Sequence, residues 1–261
     1  ACLVGSEMCI RDSNTTTAPI KVLDAKKVIL TLADNTTNTI TDSSRLSTEE
    51  DYSAAIYSKE DLIINGNGTL NVNAGYRNGI KSTDDCIIVS GTLNITSTED
   101  GIIGKDLCGI VAGDININAG SDGVKSTYDT DTTKGNVIIE GGNITIKASN
   151  DGIQAENILV INDGTINIKT NNGAADTTQT HIDNMDMGRG GFGFNNNKTT
   201  TTTDDTSESR KGIKAGNMLI INDGDITIDS DDDSVHCNSV IYIYGCLLYT
   251  SPSPRDRQKS R

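Results

Sequence analysis

An apolar residue returns at the same point of a short polar motif along most of this chain. The motif is clearest at Asp122-Gly-Val-Lys-Ser126. It recurs at Asn78-Gly-Ile-Lys-Ser82, Asp100-Gly-Ile102, Asp151-Gly-Ile153, Lys211-Gly-Ile-Lys214 and Asp233-Ser-Val235, with a weaker copy at Ala54-Ala-Ile56. The apolar member falls at 56, 80, 102, 124, 153, 213 and 235, in steps of 24, 22, 22, 29, 60 and 22. A base period of 22 residues with insertions accounts for every step. Two alternating runs follow each turn: Cys86 and Ile88 then Leu93 and Ile95, Cys108 and Ile110 then Ile115 and Ile117, Leu159 and Ile161 then Ile166 and Ile168. After Val124 the pattern is displaced across Tyr128–Lys134 and then resumes at Val137.

Spacing of two is the strand period, and a fixed repeat of this length marks a solenoid. Three short strands per period, separated by Gly, Asn and Asp corners, read as one coil of a parallel β-helix. One coil cannot bury its own apolar row, whereas coils stacked about 4.8 Å apart make a continuous core. The fold class expected is therefore all-β, a right-handed parallel β-helix with about 22 residues per coil. Its interior would be columns of Ile, Leu and Val with Cys86 over Cys108, either as thiols or as a disulfide. Glycine at the corners is expected because it accepts positive φ.

Composition limits the partners. The formal charge of -14 sets this chain apart from nucleic-acid binders, which need a positive footprint, and low aromatic content (no Trp, two Phe) suits a narrow tube filled by aliphatic columns. No segment reaches the length of apolar residues that a membrane span needs. No signal peptide is visible, and an incomplete amino terminus is the expected reason.

Residues 1–13 and 246–261 lack the period and resemble translated adapter read-through, so both are set aside as artefactual tails. Residues 14–245 are expected to form one domain, monomeric, with an incomplete or irregular first coil before Ala54, a corner loop at Thr41–Tyr52 and a long insertion at 171–210. The insertion contains both Phe residues and runs of Gly and Thr. Long loops on a rigid scaffold are favoured places for contacts.

Register turns separate the acids into a pattern. Asp100, Asp122 and Asp151 fall on consecutive coils along one edge, about 4.8 Å apart. Stacked carboxylates repel, and a hard oxygen-seeking cation relieves that repulsion; calcium suits Asp, Asn and backbone oxygens. The competing reading is that these side chains cap corners as Asx-turns. Lys81, Lys125 and Lys214 follow the buried aliphatic by one residue and are expected to point outward, either to grip an acidic sugar chain or to offset nearby acids. Tyr57, Tyr76 and Tyr128 are the exposed aromatic candidates. His181 and His236 belong to no recognisable triad, so no catalytic set is assigned. A calcium-dependent lyase with Arg77 or Lys125 as base is the enzymatic alternative, and a structural surface spacer is a third.

Four stretches carry a family resemblance: Tyr57-Ser-Lys-Glu-Asp-Leu-Ile-Ile-Asn-Gly-Asn-Gly-Thr-Leu70, Asn78-Gly-Ile-Lys-Ser-Thr-Asp-Asp85, Ser121-Asp-Gly-Val-Lys-Ser126 and Asn150-Asp-Gly-Ile-Gln-Ala155. Through them residues 20–244 resemble a family of secreted bacterial carbohydrate-binding β-helix proteins. Members are similar to pectate lyases in fold but bind acidic plant polysaccharide such as polygalacturonate, with bound calcium and no established lyase activity. The resemblance implies an extracellular or cell-surface protein with calcium near Asp100, Asp122 and Asp151, and also around Asp84, Asp85 and Asp233. Apart from the resemblance, Arg77, Lys81, Lys125 and Tyr128 are the candidate glycan contacts. Asn78 and Lys211 stand where the family has Asp, which departs from its pattern.

Overall fold

The computed structural model describes the backbone of residues 11–14 and, in full, residues 18–43, 53–171, 173 and 210–250. The greater part of the 171–210 insertion, including both Phe residues and His181, lies outside the described residues, as does most of each tail.

Each coil runs through three strands, and like strands of successive coils pair in parallel. Sheet I has nine strands and holds the longest: Thr37–Asp42, Thr69–Ala74, Thr92–Ser97, Asp114–Ala119, Asn143–Ala148 and Thr165–Thr170 are among them. Sheet II has eight short strands, including Asn78–Ser82, Ile102–Gly104, Val124–Ser126 and Ile153–Ala155. Sheet III also has eight, including Leu62–Gly66, Asp85–Ile88, Leu107–Ile110 and Asn136–Ile139. No α-helix occurs among the described residues. The fold is a parallel β-helix, as its period requires.

The columns stand as the repeat dictates. Ile80, Ile102, Val124, Ile153 and Ile213 are stacked partners, and all are buried. Cys108 sits on Cys86 and under Val137. Both cysteines are buried free thiols, and burial pushes Cys108 up to about 12. Such aliphatic columns are the main stabilising term, because each removes its apolar area from water on both faces of a rung.

Three sequence expectations change. The first coil is complete, with strands Ile20–Val22, Val28–Leu32 and Thr37–Asp42, so Thr41 and Asp42 belong to a strand and not to a corner loop. Backbone pairing also reaches into both tails, where Arg11–Asn14 pairs with Thr39–Asp42 and Leu247–Thr250 pairs with Asp225–Ile228. The third change concerns glycine. Gly79, Gly101, Gly123 and Gly152, in the repeated turn, are not among the positive-φ residues. They are needed because the next coil is too close: a Cβ on Gly123 would lie 2.5 Å from the Gly152 carbonyl oxygen and would also meet Ile146. Positive φ is required at the opposite corner, as at Gly164 (φ 125).

Candidate functional site

The acids singled out from the sequence lie at two separate corners of the triangular tube. The corner from sheet I to sheet II holds Asp100, Asp122, Asp151 and Asp233. The corner from sheet II to sheet III holds Asp61, Asp84 and Asp106, with Asp85 opening the next strand.

At the first corner the carboxylates form a ladder. The Asp100 amide donates to Asn78 Oδ1 at 3.0 Å, the Asp122 amide to Asp100 Oδ1 at 3.0 Å, the Asp151 amide to Asp122 Oδ1 at 2.9 Å, and the Lys211 amide to Asp151 Oδ1 at 2.7 Å. Each side chain thus accepts from the backbone of the next coil, a task that an Asn performs as well as an Asp. That equivalence explains Asn78, whose own amide is fixed by donating to the Ser53 carbonyl oxygen at 2.7 Å.

Lysines of the outward row neutralise the other oxygens. Lys125 Nζ lies 2.6 Å from Asp122 Oδ2 and 3.9 Å from Asp100 Oδ2, and Lys214 Nζ lies 3.2 Å from Asp151 Oδ2. The repulsion for which the sequence invited a cation is met here by amides and ammonium groups. Burial still outweighs Lys125 at Asp122, whose carboxyl sits above its usual range. Asp233 stands apart, 3.2 Å from the His236 ring.

The residues expected to grip sugar are partly engaged in this lattice. Lys81 donates to Ser53 Oγ at 3.1 Å, and burial lowers its pKa. Arg77, a non-glycine residue at φ 55, faces Glu99 at 3.8 Å and lies 5.7 Å from the centroid of the Tyr76 ring. Tyr57 is not exposed: it is 4% accessible and packs with Ala18 and Ala54.

The second corner is different. Carboxylate oxygens of Asp61, Asp84 and Asp85 all lie within 4.8 Å of one another. Asp84 is pushed up to about 6, first by burial and then by a hydrogen bond shared with Asp106. Asp85 is raised by burial and by Asp61. Two ammonium groups stand at the rim, with Lys27 Nζ 3.7 Å from Asp61 Oδ2 and Lys134 Nζ in contact with Asp106 Oδ2. Negative charge exceeds positive in this small volume, and all the donors are hard oxygens, the set that suits calcium. Asp84 and Asp85 were legible from the family motif. Asp61 was not, although it precedes Leu62, which pairs with Cys86, just as Asp85 precedes Cys86.

Beside the acids lies Tyr128, with Lys105 Nζ and Lys134 Nζ each 5.0 Å from its ring centroid. Sequence reasoning named Tyr128 but neither lysine. The signal for them is the displacement at 128–134, an interruption of the period that the period itself leaves without a position.

Comparison with known proteins agrees with this architecture. Residues 9–256 match a family described as carbohydrate-binding domain-containing protein. A curated relative of that description from Acetivibrio thermocellus is 39% identical over 87 residues, 32% of this chain and 30% of the relative, so the match spans under a third of that protein's length. The solved structure of a polysaccharide lyase-like protein from C. thermocellum, a gadolinium derivative, superimposes with TM-score 0.64 and 26% identity over 92% of this chain and 74% of that one. With nearly the whole of its length matched, the chain belongs to the carbohydrate-binding domain-containing protein family.

Proposed function

We propose that the chain is a non-catalytic, calcium-dependent binder of acidic polysaccharide of the polygalacturonate kind, acting outside the cell. The observation that carries this reading is the adjacency at one corner of three converging carboxylates and an aromatic ring flanked by two ammonium groups. Asp61, Asp84 and Asp85 would hold the cation, which supplies a positive charge able to bridge protein and sugar carboxylates. Tyr128 offers a flat apolar face to a sugar ring, and its lysines complement uronate charge. That the structural relative was obtained as a gadolinium derivative supports the metal half, since lanthanides also seek hard oxygen donors. Within the ladder of Asp100, Asp122 and Asp151, amides and lysines already satisfy the oxygens, so the cation is assigned to the other corner.

The lyase reading draws on the name of that same relative. It needs a base free to take a sugar proton. Arg77 faces Glu99, and Lys125 is hydrogen-bonded to Asp122. The binding reading therefore has the better support.

Calorimetric titration with calcium, followed by polygalacturonate with and without EDTA, tests the proposal. Binding that disappears in EDTA, and that the double variant Asp84→Asn/Asp85→Asn lacks, is the expected result. Equal affinity in calcium and in EDTA would overturn the calcium dependence. Accumulation of unsaturated, ultraviolet-absorbing products would overturn the non-catalytic assignment.

A further inference from the structure

Most turns from sheet II to sheet III are a few residues long, but between Ser126 and Asn136 the chain makes a longer strap. Its tip is a closed turn: the Lys134 amide donates to the Asp131 carbonyl oxygen at 3.0 Å, and the Thr133 amide and hydroxyl both donate to Asp131 Oδ1. The strap is fastened from the next coil. The side chain of Asn157, itself buried, donates to the carbonyl oxygens of Thr132 at 2.5 Å and Lys134 at 3.1 Å. From the preceding coil the Asp106 carbonyl oxygen accepts from Gly135 at 2.8 Å and Asn136 at 3.1 Å. Nothing in the 22-residue period asks for this excursion. Its effect is to deliver the Lys134 ammonium to one place, between the Tyr128 ring and the Asp106 carboxylate.

Asp106 is the hinge of the arrangement, because it touches Lys134 on one side and Asp84 on the other. Lys134 is thus a positive charge already bound to the acidic corner. A divalent cation arriving at Asp61, Asp84 and Asp85 competes with it for the same negative potential. We infer that Lys134 is a built-in counter-ion of this corner and that, once displaced by a divalent cation, it joins Lys105 and Tyr128 as the seat of a sugar carboxylate. This inference rests on the calcium reading above and adds to it the residues that select a charged sugar over a neutral one. Calcium and uronate then bind with positive coupling, and the coupling is reciprocal, since each favours the state in which Lys134 has left Asp106.

The test uses the full chain and its Lys134→Gln, Lys134→Arg and Lys105→Gln variants, with calcium alone and then polygalacturonate at saturating calcium as probes. Removing a competing cation should tighten calcium binding by Lys134→Gln about two- to five-fold, the range of a surface ion pair. The same variant should bind polygalacturonate about ten-fold more weakly, as expected for a lost charge-assisted hydrogen bond. Lys134→Arg should restore both values. Lys105→Gln should weaken only the glycan.

Calcium binding by wild type with unchanged or weaker calcium affinity in Lys134→Gln would overturn the counter-ion role and leave the calcium reading standing. Tighter calcium binding with unchanged glycan affinity would overturn the carboxylate seat. No calcium isotherm in wild type would overturn both readings. Lys134 is half-buried in the strap's turn, and a circular dichroism spectrum matching wild type establishes that each variant is folded.

Discussion

Asp151 shows how one side chain can be both structural and charged. It is almost wholly buried, yet its two oxygens have separate duties, one to the Lys211 amide and one to Lys214. Asp151→Ala leaves a buried amide without its acceptor and is expected to cost about 1–3 kcal/mol. Asp151→Asn keeps the acceptor and should cost less, following the precedent of Asn78. Urea unfolding of the two variants measures the difference, which should be the same with calcium or EDTA if the ladder holds no metal.

Asp84 makes the opposite case, because its environment favours the proton. Its carboxyl is raised to about 6 in the folded chain from an ordinary 3.8, so the folded state binds more protons than the unfolded one between those values. Stability in EDTA should therefore rise as pH falls from 7 through this window. Asp84→Asn, which carries no charge to penalise, should be more stable than wild type at pH 7. That advantage should shrink as pH falls through about 6 and close only below about pH 4, near the ordinary carboxyl value, as chemical denaturation across the pH range would show.

At the scale of the element, strand composition follows which faces are covered. Sheet I strands alternate cleanly, as in Asp114–Ala119, where Ile115, Ile117 and Ala119 are buried and Asp114, Asn116 and Asn118 are exposed. Their outward amides form a second ladder, with Asn116 donating to Asn94 at 3.1 Å and Asn94 to Asn71 at 2.9 Å. Sheet III strands such as Asn136–Ile139 and Ile158–Ile161 are apolar nearly throughout, so that Ile63 and Ile87, then Ile138, Val160 and Ile220, form a half-buried outward row broken at Gly109. Alternation alone would not have located those strands; the period did.

The turn glycines belong to this scale as well. Gly123→Ala forces a methyl group against the Gly152 carbonyl and Ile146, and overpacking of this kind is expected to cost about 1–3 kcal/mol. The equivalent change at Gly109, where the nearest atoms to an added Cβ lie at 3.5 Å or more, should be tolerated. Thermal melts of the two variants compare them directly.

Across the whole molecule, each coil touches its neighbours above and below, so stability is close to a sum of coil and interface terms. Duplicating residues 101–122 inserts one complete rung and keeps every column in register. The longer chain is expected to fold with an unchanged spectrum and an equal or higher melting temperature. Inserting half that segment should abolish the cooperative transition, since it sets apolar columns against polar corners. Circular dichroism melts distinguish the two.

The linear sequence was sufficient for the tube. A fixed period puts Ile102, Val124 and Ile153 on one column whatever the details of the corners, because stacking is the way such short strands bury their apolar side. It also placed Asp100, Asp122 and Asp151 on one edge and paired Cys86 with Cys108. What those acids do was decided only by tertiary structure, since the periodicity of a motif does not say which amide or ammonium reaches a given oxygen. The tertiary structure likewise brought Asp61 to Asp84 and Asp85, and carried Lys134 back to Asp106. The first contact lies in register, Asp61 standing one coil from Asp85, but the period does not say which way the carboxylates turn; the second comes through a departure from the repeat, and a departure has no register from which its position can be read.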